Sequence, residues 1–113
     1  MHDYVTVYTA TDSRPEADSL ARLAVERRLA ACAQVTGPLS STYWWHGQIE
    51  TTQEWAVWLK TASRRVDELI AMLKAEHSYE VPDIVAMPIV AGYRPYLDWL
   101  SAETAGKVAG GGA

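Results

Sequence analysis

Ser41-Thr42-Tyr43-Trp44-Trp45-His46-Gly47-Gln48-Ile49-Glu50 is the stretch on which the fold turns. Aromatic and β-branched residues flank a two-residue His46-Gly47 turn, the pattern of an antiparallel hairpin. Followed backwards, the incoming arm starts over residues 31–36, bends or bulges at Gly37-Pro38 and resumes over 41–45. Followed forwards, the return arm reaches from Gln48 to Thr61, with an irregularity predicted near Thr52-Gln53, so the hairpin is long. Neighbouring residues of a strand point to opposite faces, so one of Trp44 and Trp45 is expected in the core and the other at an interface or cleft wall.

Before the hairpin, residues 4–9 alternate Val5 and Val7 against Tyr4, Thr6 and Tyr8, the period of a strand. Ser13 and Glu16 form a possible capping box, Pro15 suits a first turn, and Ala17, Leu20, Ala21 and Ala24 recur at helical spacing towards Leu29. After the hairpin, Ser63 is placed to cap a second helix, with a stripe of Val66, Leu69, Ile70 and Leu73 ending near Glu76. Pro82 holds Val81 extended, and residues 84–90 read as a last strand. Its Pro88 cannot donate to a ladder, which places it at a sheet edge or a bulge. Residues 95–100 read as a short terminal helix.

Strand, helix, strand, strand, helix, strand is the split βαβ order. The predicted fold is therefore α+β: a ferredoxin-like sandwich whose antiparallel sheet carries two helices on one face. Its length of 113 residues suits one domain, assigned to residues 1–101, and the Gly- and Ala-rich residues 102–113 read as a flexible tail.

Two helices cover one sheet face, yet both faces read apolar. In the third strand Trp55, Val57 and Leu59 oppose Ala56 and Trp58; in the last, Ile84 and Ala86 oppose Val85, Met87 and Ile89. An uncovered face of that kind predicts self-association. The absence of Phe beside five Trp and six Tyr agrees, because rings that carry a polar atom suit surfaces closed by another chain.

The net charge is −4 and basic residues cluster only as Arg27-Arg28 and Arg64-Arg65, which gives no phosphate-binding stripe and argues against nucleic acid. Cys32 is the single cysteine, so an intrachain disulfide and a thiol-only zinc site are excluded. No segment approaches the ~18 apolar residues of a membrane span, and the N-terminus lacks a basic region followed by an apolar one. A cytoplasmic protein without a membrane partner is expected.

Four segments share the pattern of one family: Leu29-Ala30-Ala31-Cys32, Tyr43 to Glu50, His77-Ser78-Tyr79-Glu80-Val81-Pro82-Asp83-Ile84, and Pro88-Ile89-Val90 with Tyr96-Leu97-Asp98-Trp99-Leu100. Over residues 4–100 the chain resembles CutA, the divalent-cation tolerance proteins. That resemblance implies a ferredoxin-like homotrimer, similar in architecture to PII-type signalling proteins, with clefts between subunits and an association with copper and other divalent cations. It implies a non-catalytic module that binds a divalent metal or a small ligand in a response to metal ions. The alternative is a trimeric scaffold or PII-like signalling protein that presents its hairpins to a protein partner.

His77, Glu80 and Cys32 are the candidate metal ligands, an imidazole, a carboxylate and a thiol suited to Cu2+ or Zn2+. The competing account has His77 satisfying a helix end and Glu80 pairing with Lys60. Cys32 matches a cysteine common in the family; it is either a small buried hydrophobe or, close to Lys60, a favoured thiolate. Some relatives carry a cysteine near the end of the first strand and paired histidines after the second helix, where this chain has Tyr8 and Glu76. Trp45, Trp58, Lys60 and Tyr79 are the candidates for a ligand cleft or interface. His2 and His46 receive no role. No nucleophile elbow, phosphate-cradling glycine loop or His-Glu-x-x-His motif is present, so a binding module is expected in place of an enzyme.

Overall fold

The computed structural model describes residues 2–106. Its elements are β1 (Tyr4–Thr11), α1 (Arg14–Glu26), β2 (Cys32–Trp45), β3 (Gln48–Ala62), α2 (Val66–Glu76), β4 (Ile84–Pro88) and α3 (Arg94–Glu103), with a 3-10 turn over Ser63–Arg65 leading into α2. The four strands form one antiparallel sheet in the order β2-β3-β1-β4. This is the predicted split βαβ arrangement, with β1 and β3 central and Pro88 on the β4 edge, where its missing N–H breaks no ladder.

Alternation sorts each strand into two rows. Val7, Val57 and Leu59 face α1 and α2, where Leu20, Leu69 and Leu73 close the core, with Trp55 and Ile84 packed against it. Burial of each of these large side chains contributes roughly 1.5–3 kcal/mol. The opposite row runs across the sheet in register: Gln34, Trp58, Tyr8 and Val85 on one line, Cys32, Lys60, Thr6 and Met87 on the next.

Local chemistry explains the boundaries. Ser13 Oγ accepts the Glu16 N–H at 3.2 Å, so the N-cap forms. Only that half of the expected box exists, because the Glu16 carboxylate accepts from Ser78 N–H at 2.9 Å instead. Helix α1 stops at Glu26, before the predicted Leu29, since Arg28 takes φ 60° and Leu29 N–H turns back to Ala24 O at 3.0 Å. His46 and Gly47 have φ of 50° and 79°, the two positive values of a tight I′-type hairpin turn.

Several expectations are corrected. The register shift lies on β2 between Thr36 and Leu39, at Gly37-Pro38, whereas Thr52 and Gln53 pair regularly with Ser41 and Ser40. Ser63 does not cap α2: its hydroxyl donates to His2 O at 2.5 Å, and the helix opens from the 3-10 turn at Arg65 without a side-chain cap. Neither tryptophan of the hairpin is in the core. Trp44 is 71% exposed and Trp45 38%.

A third helix extends the body beyond residue 101. Leu97 and Leu100 are buried, α3 runs to Glu103, and Thr104 is fully buried. Arg64 donates to Ser101 O at 2.8 Å and Arg65 to Thr104 O at 2.7 Å, so the basic pair satisfies carbonyls at the end of α3. Of the predicted tail, residues 107–113 lie outside the described residues.

Candidate functional site

The hairpin arm over residues 41–45 and the loop after α2 together line a cleft of about 750 Å³. One wall is the hairpin, with Tyr43, Trp44 and Trp45; the other is the loop from Tyr79 to Asp83; Tyr8 of β1 and Glu54 of β3 form the base. The loop is anchored by His77, the residue that ends α2 in extended conformation.

The His77 side chain is fully enclosed, with both nitrogens committed. Nε2 lies 2.9 Å from Ala10 O, an acceptor only, so Nε2 carries the proton and donates. Nδ1 accepts the Tyr79 N–H at 3.1 Å, which makes the ring a neutral tautomer clamped between β1 and the loop. The imidazole also packs at 4.8 Å from the Tyr79 ring. Tyr79 then donates its hydroxyl to Glu54 Oε2 at 2.7 Å. A continuous path from Ala10 through His77 and Tyr79 thus fixes a carboxylate that is only 7% exposed.

The cleft is electronegative. Its lining residues include Glu54, Glu80 and Asp83 and no Lys, Arg or His. Burial pushes the Asp83 carboxyl above its ordinary value, and the charge of Glu54 adds to the rise. Burial likewise raises the Tyr8 hydroxyl, reinforced by Asp83 and Glu54. Tyr79 is raised strongly, first by burial and then by its hydrogen bond to Glu54, so it stays protonated and remains a donor.

The structure does not assemble the predicted metal set. His77 is level with Ala10, which pairs with Ala56, while Cys32 pairs with Lys60, four residues along β3 and so about 13 Å away at ~3.3 Å per residue. No three His, Cys, Asp or Glu side chains converge as ligands among the described residues. Glu80 is exposed on the cleft rim, and Cys32 is half-buried against Tyr96, whose hydroxyl is raised by burial and by that thiol. The competing account also fails in detail: Lys60 does not meet Glu80 but lies 3.4 Å from Gln34 Oε1 and 5.8 Å from the Tyr96 ring.

Of the four predicted cleft residues, Trp45 and Tyr79 line it and Trp58 and Lys60 do not. Trp58 stands behind the base, edge-to-face with Tyr8 at 4.8 Å, its indole N–H donating to Thr36 Oγ1 at 2.9 Å. Lys60 is a further residue pair along the same row. Glu54 was missed, although it continues the row of Ala56 and Trp58 and is the buried acid on it.

Residues 5–103 match the family model described as CutA1 divalent ion tolerance protein. The chain belongs to the CutA1 family. A divalent-cation tolerance protein CutA of Thermus thermophilus is 41% identical over 98 residues, covering 87% of this chain and 95% of its own. The crystal structure of CutA from Xylella fastidiosa superposes with TM-score 0.88 at 35% identity, covering 90% of this chain and 98% of that one. A CutA1-family structure from Archaeoglobus fulgidus, described as periplasmic, gives TM-score 0.86 at 37% identity over 89% of this chain and 98% of its own. No helix among the described residues of this CutA1-family chain is long and apolar enough to cross a membrane.

Proposed function

We propose that this chain is a cytoplasmic, non-catalytic homotrimer that takes a divalent cation or small ligand in the cleft and serves metal tolerance. The observation that carries the reading is the enclosed carboxylate of Glu54, held by Tyr79 at 2.7 Å at the base of an open, aromatic-walled cleft. A carboxylate oxygen is a hard donor, suited to harder divalent cations more than to Cu(I). The chain's own donors do not make a complete metal site, so a cation there would draw further ligands from water or a neighbouring subunit.

Trimer formation is supported by the helix-free face. Val85 is 48% exposed and Met87 38%, beside half-buried Tyr8 and Trp58, an apolar surface of the kind that another subunit covers. A second reading, a scaffold that presents its hairpins to a protein partner, is favoured by Trp44 and Ile49, 71% and 62% exposed on the hairpin arms.

Native mass spectrometry of the protein purified under gentle conditions tests the proposal. A trimeric mass with retained metal or metabolite is expected. A stable monomer that retains nothing, and takes up neither Zn(II) nor Cu(II) when titrated, refutes it.

A further inference from the structure

The helix-free face of the sheet holds two charges that its own chain leaves unmatched. Strands β1 to β4 contain one basic residue, Lys60, and two acids, Glu50 and Glu54, of which only Glu54 is buried. No Lys, Arg or His lies within ion-pair distance of Glu54 among the described residues. Its Oε2 accepts from Tyr79, whereas Oε1 has no hydrogen-bond partner and is not sealed from solvent, so it is open to a donor from outside. Lys60 meets no carboxylate either; its ammonium has the Gln34 amide oxygen at 3.4 Å and the Tyr96 ring at 5.8 Å.

Within one chain these two charges cannot satisfy each other. Both stand on the row Glu54, Ala56, Trp58, Lys60, six residues apart and so about 20 Å at ~3.3 Å per residue. Around them the face is apolar, with Tyr8 and Trp58 in register with Val85, and Met87 on the next line. A subunit that covers this surface removes water from both charges, and an ion stripped of water without an opposite charge is strongly unfavourable. A second copy of the chain carries the complement of each, an acid towards one end of the face and a cation towards the other. Set head to tail, each copy offers Lys60 to one neighbour and Glu54 to the other, an arrangement that can close into a ring.

We infer that Lys60 of the partner subunit reaches the base of the cleft and donates to Glu54 Oε1, so that the site is completed by two chains. The carboxylate is then shared, with the Tyr79 hydroxyl on Oε2 and the ammonium on Oε1. A divalent cation or ligand taken into the cleft competes with that ammonium for Oε1. The inference rests on the reading of this face as a subunit contact and names the residues that meet across it.

The test is a double-mutant cycle on the intact protein, with Glu54→Gln, Lys60→Met and both together, read as the protein concentration of half-dissociation in sedimentation. Side chains that far apart in one chain, with no shared partner, have additive effects, so non-additivity reports a contact between copies. Each single substitution should raise the half-dissociation concentration at least tenfold, because it leaves the opposite charge buried and unpaired. The double variant should lie within threefold of the weaker single. Single effects that multiply in the double variant overturn the inference, as do single substitutions that leave assembly unchanged. Should Glu54→Gln fail to fold, carbodiimide coupling of the wild type decides, with isotope-labelled and unlabelled chains mixed to mark links between copies. An amide joining Lys60 of one copy to Glu54 of another is expected, and a cross-linked dimer that lacks it overturns the inference. An oligomer whose substitutions act independently sinks this inference alone, whereas a wild type that is monomeric and retains nothing sinks the functional proposal beneath it.

Discussion

Replacing His77 by Ala separates a structural clamp from a metal ligand. The substitution leaves the Ala10 carbonyl, on a residue only 3% exposed, without its donor, which costs about 2 kcal/mol for a buried group. It leaves the half-buried Tyr79 N–H without its acceptor, at the low end of the same range, about 1 kcal/mol. Loss of the ring contact with Tyr79 at 4.8 Å adds roughly 0.5–1 kcal/mol. The sum is a destabilisation of about 3.5–4 kcal/mol, large beside the ~5–15 kcal/mol that holds a typical protein folded. Guanidinium unfolding measures it, at one fixed protein concentration because the proposed subunit association would add to apparent stability. His77→Gln, whose amide can still donate to Ala10 O, should recover part of the loss. Zn(II) or Cu(II) affinity, measured under conditions where the variant is folded, should stay within about twofold of wild type, since a ring that donates from Nε2 and accepts at Nδ1 has no free lone pair to offer. A fall of tenfold or more in metal affinity, with the unfolding midpoint unchanged, would refute this reasoning and return His77 to the metal site.

Three further outcomes follow from the same geometry. Gly37→Ala should destabilise by about 2 kcal/mol in denaturant unfolding, because its Cβ would lie 2.5 Å from Trp55 Cδ1 and 3.0 Å from Glu54 O; a neutral result would mean the bulge relaxes freely. Val85→Glu and Met87→Glu should leave the isolated fold intact, being 48% and 38% exposed, yet dissociate the proposed trimer in sedimentation, and an undisturbed trimer would place the interface elsewhere. Burial pushes the Glu16 carboxyl up, but the hydrogen bonds from Ser78, with Thr11 and the nearby His77, outweigh it and hold the group below its ordinary 4.5. Its stabilisation is therefore complete above pH 4.5 and lost as pH falls through the lower folded value; Glu16→Gln should flatten that acid limb, and an identical acid profile would remove Glu16 from the account.

How much of this was readable in the chain depends on whether the signal was periodic or convergent. Alternation along Tyr4 to Tyr8, the His46-Gly47 turn and the apolar stripe Leu69–Leu73 each concern neighbours within one element, and the sheet order β2-β3-β1-β4 follows from them. The misplacements were local competitions decided by distant partners. Ser63 is a good cap in isolation, but the His2 carbonyl captures its hydroxyl. Glu16 could complete a capping box, but Ser78 offers its N–H across 62 residues. Trp44 and Trp45 alternate as strand neighbours must, yet alternation tells only that faces differ, not that either face is covered.

The site was harder to see because its members are dispersed and individually unremarkable in type. Tyr8, Glu54, Tyr79 and Asp83 come from β1, β3 and the loop before β4, and no spacing links them. His77 drew attention as a possible ligand because imidazole is the commonest metal donor. Its actual partners are two backbone groups, Ala10 O and Tyr79 N–H, which every sequence contains and no motif records. One sequence signal did exist. On β3 the helix-free row reads Glu54, Ala56, Trp58, Lys60, and an acid in line with a buried alanine and a tryptophan is unfavourable in a packed row unless a donor meets it. Following that single inconsistency across the register leads to Leu39 on one side, then to the hydroxyl of Tyr79, and so to the cleft. The buried acid of that row is thus the one that the Tyr79 hydroxyl meets in the cleft, and the histidine that looked like a ligand serves by keeping that donor in place.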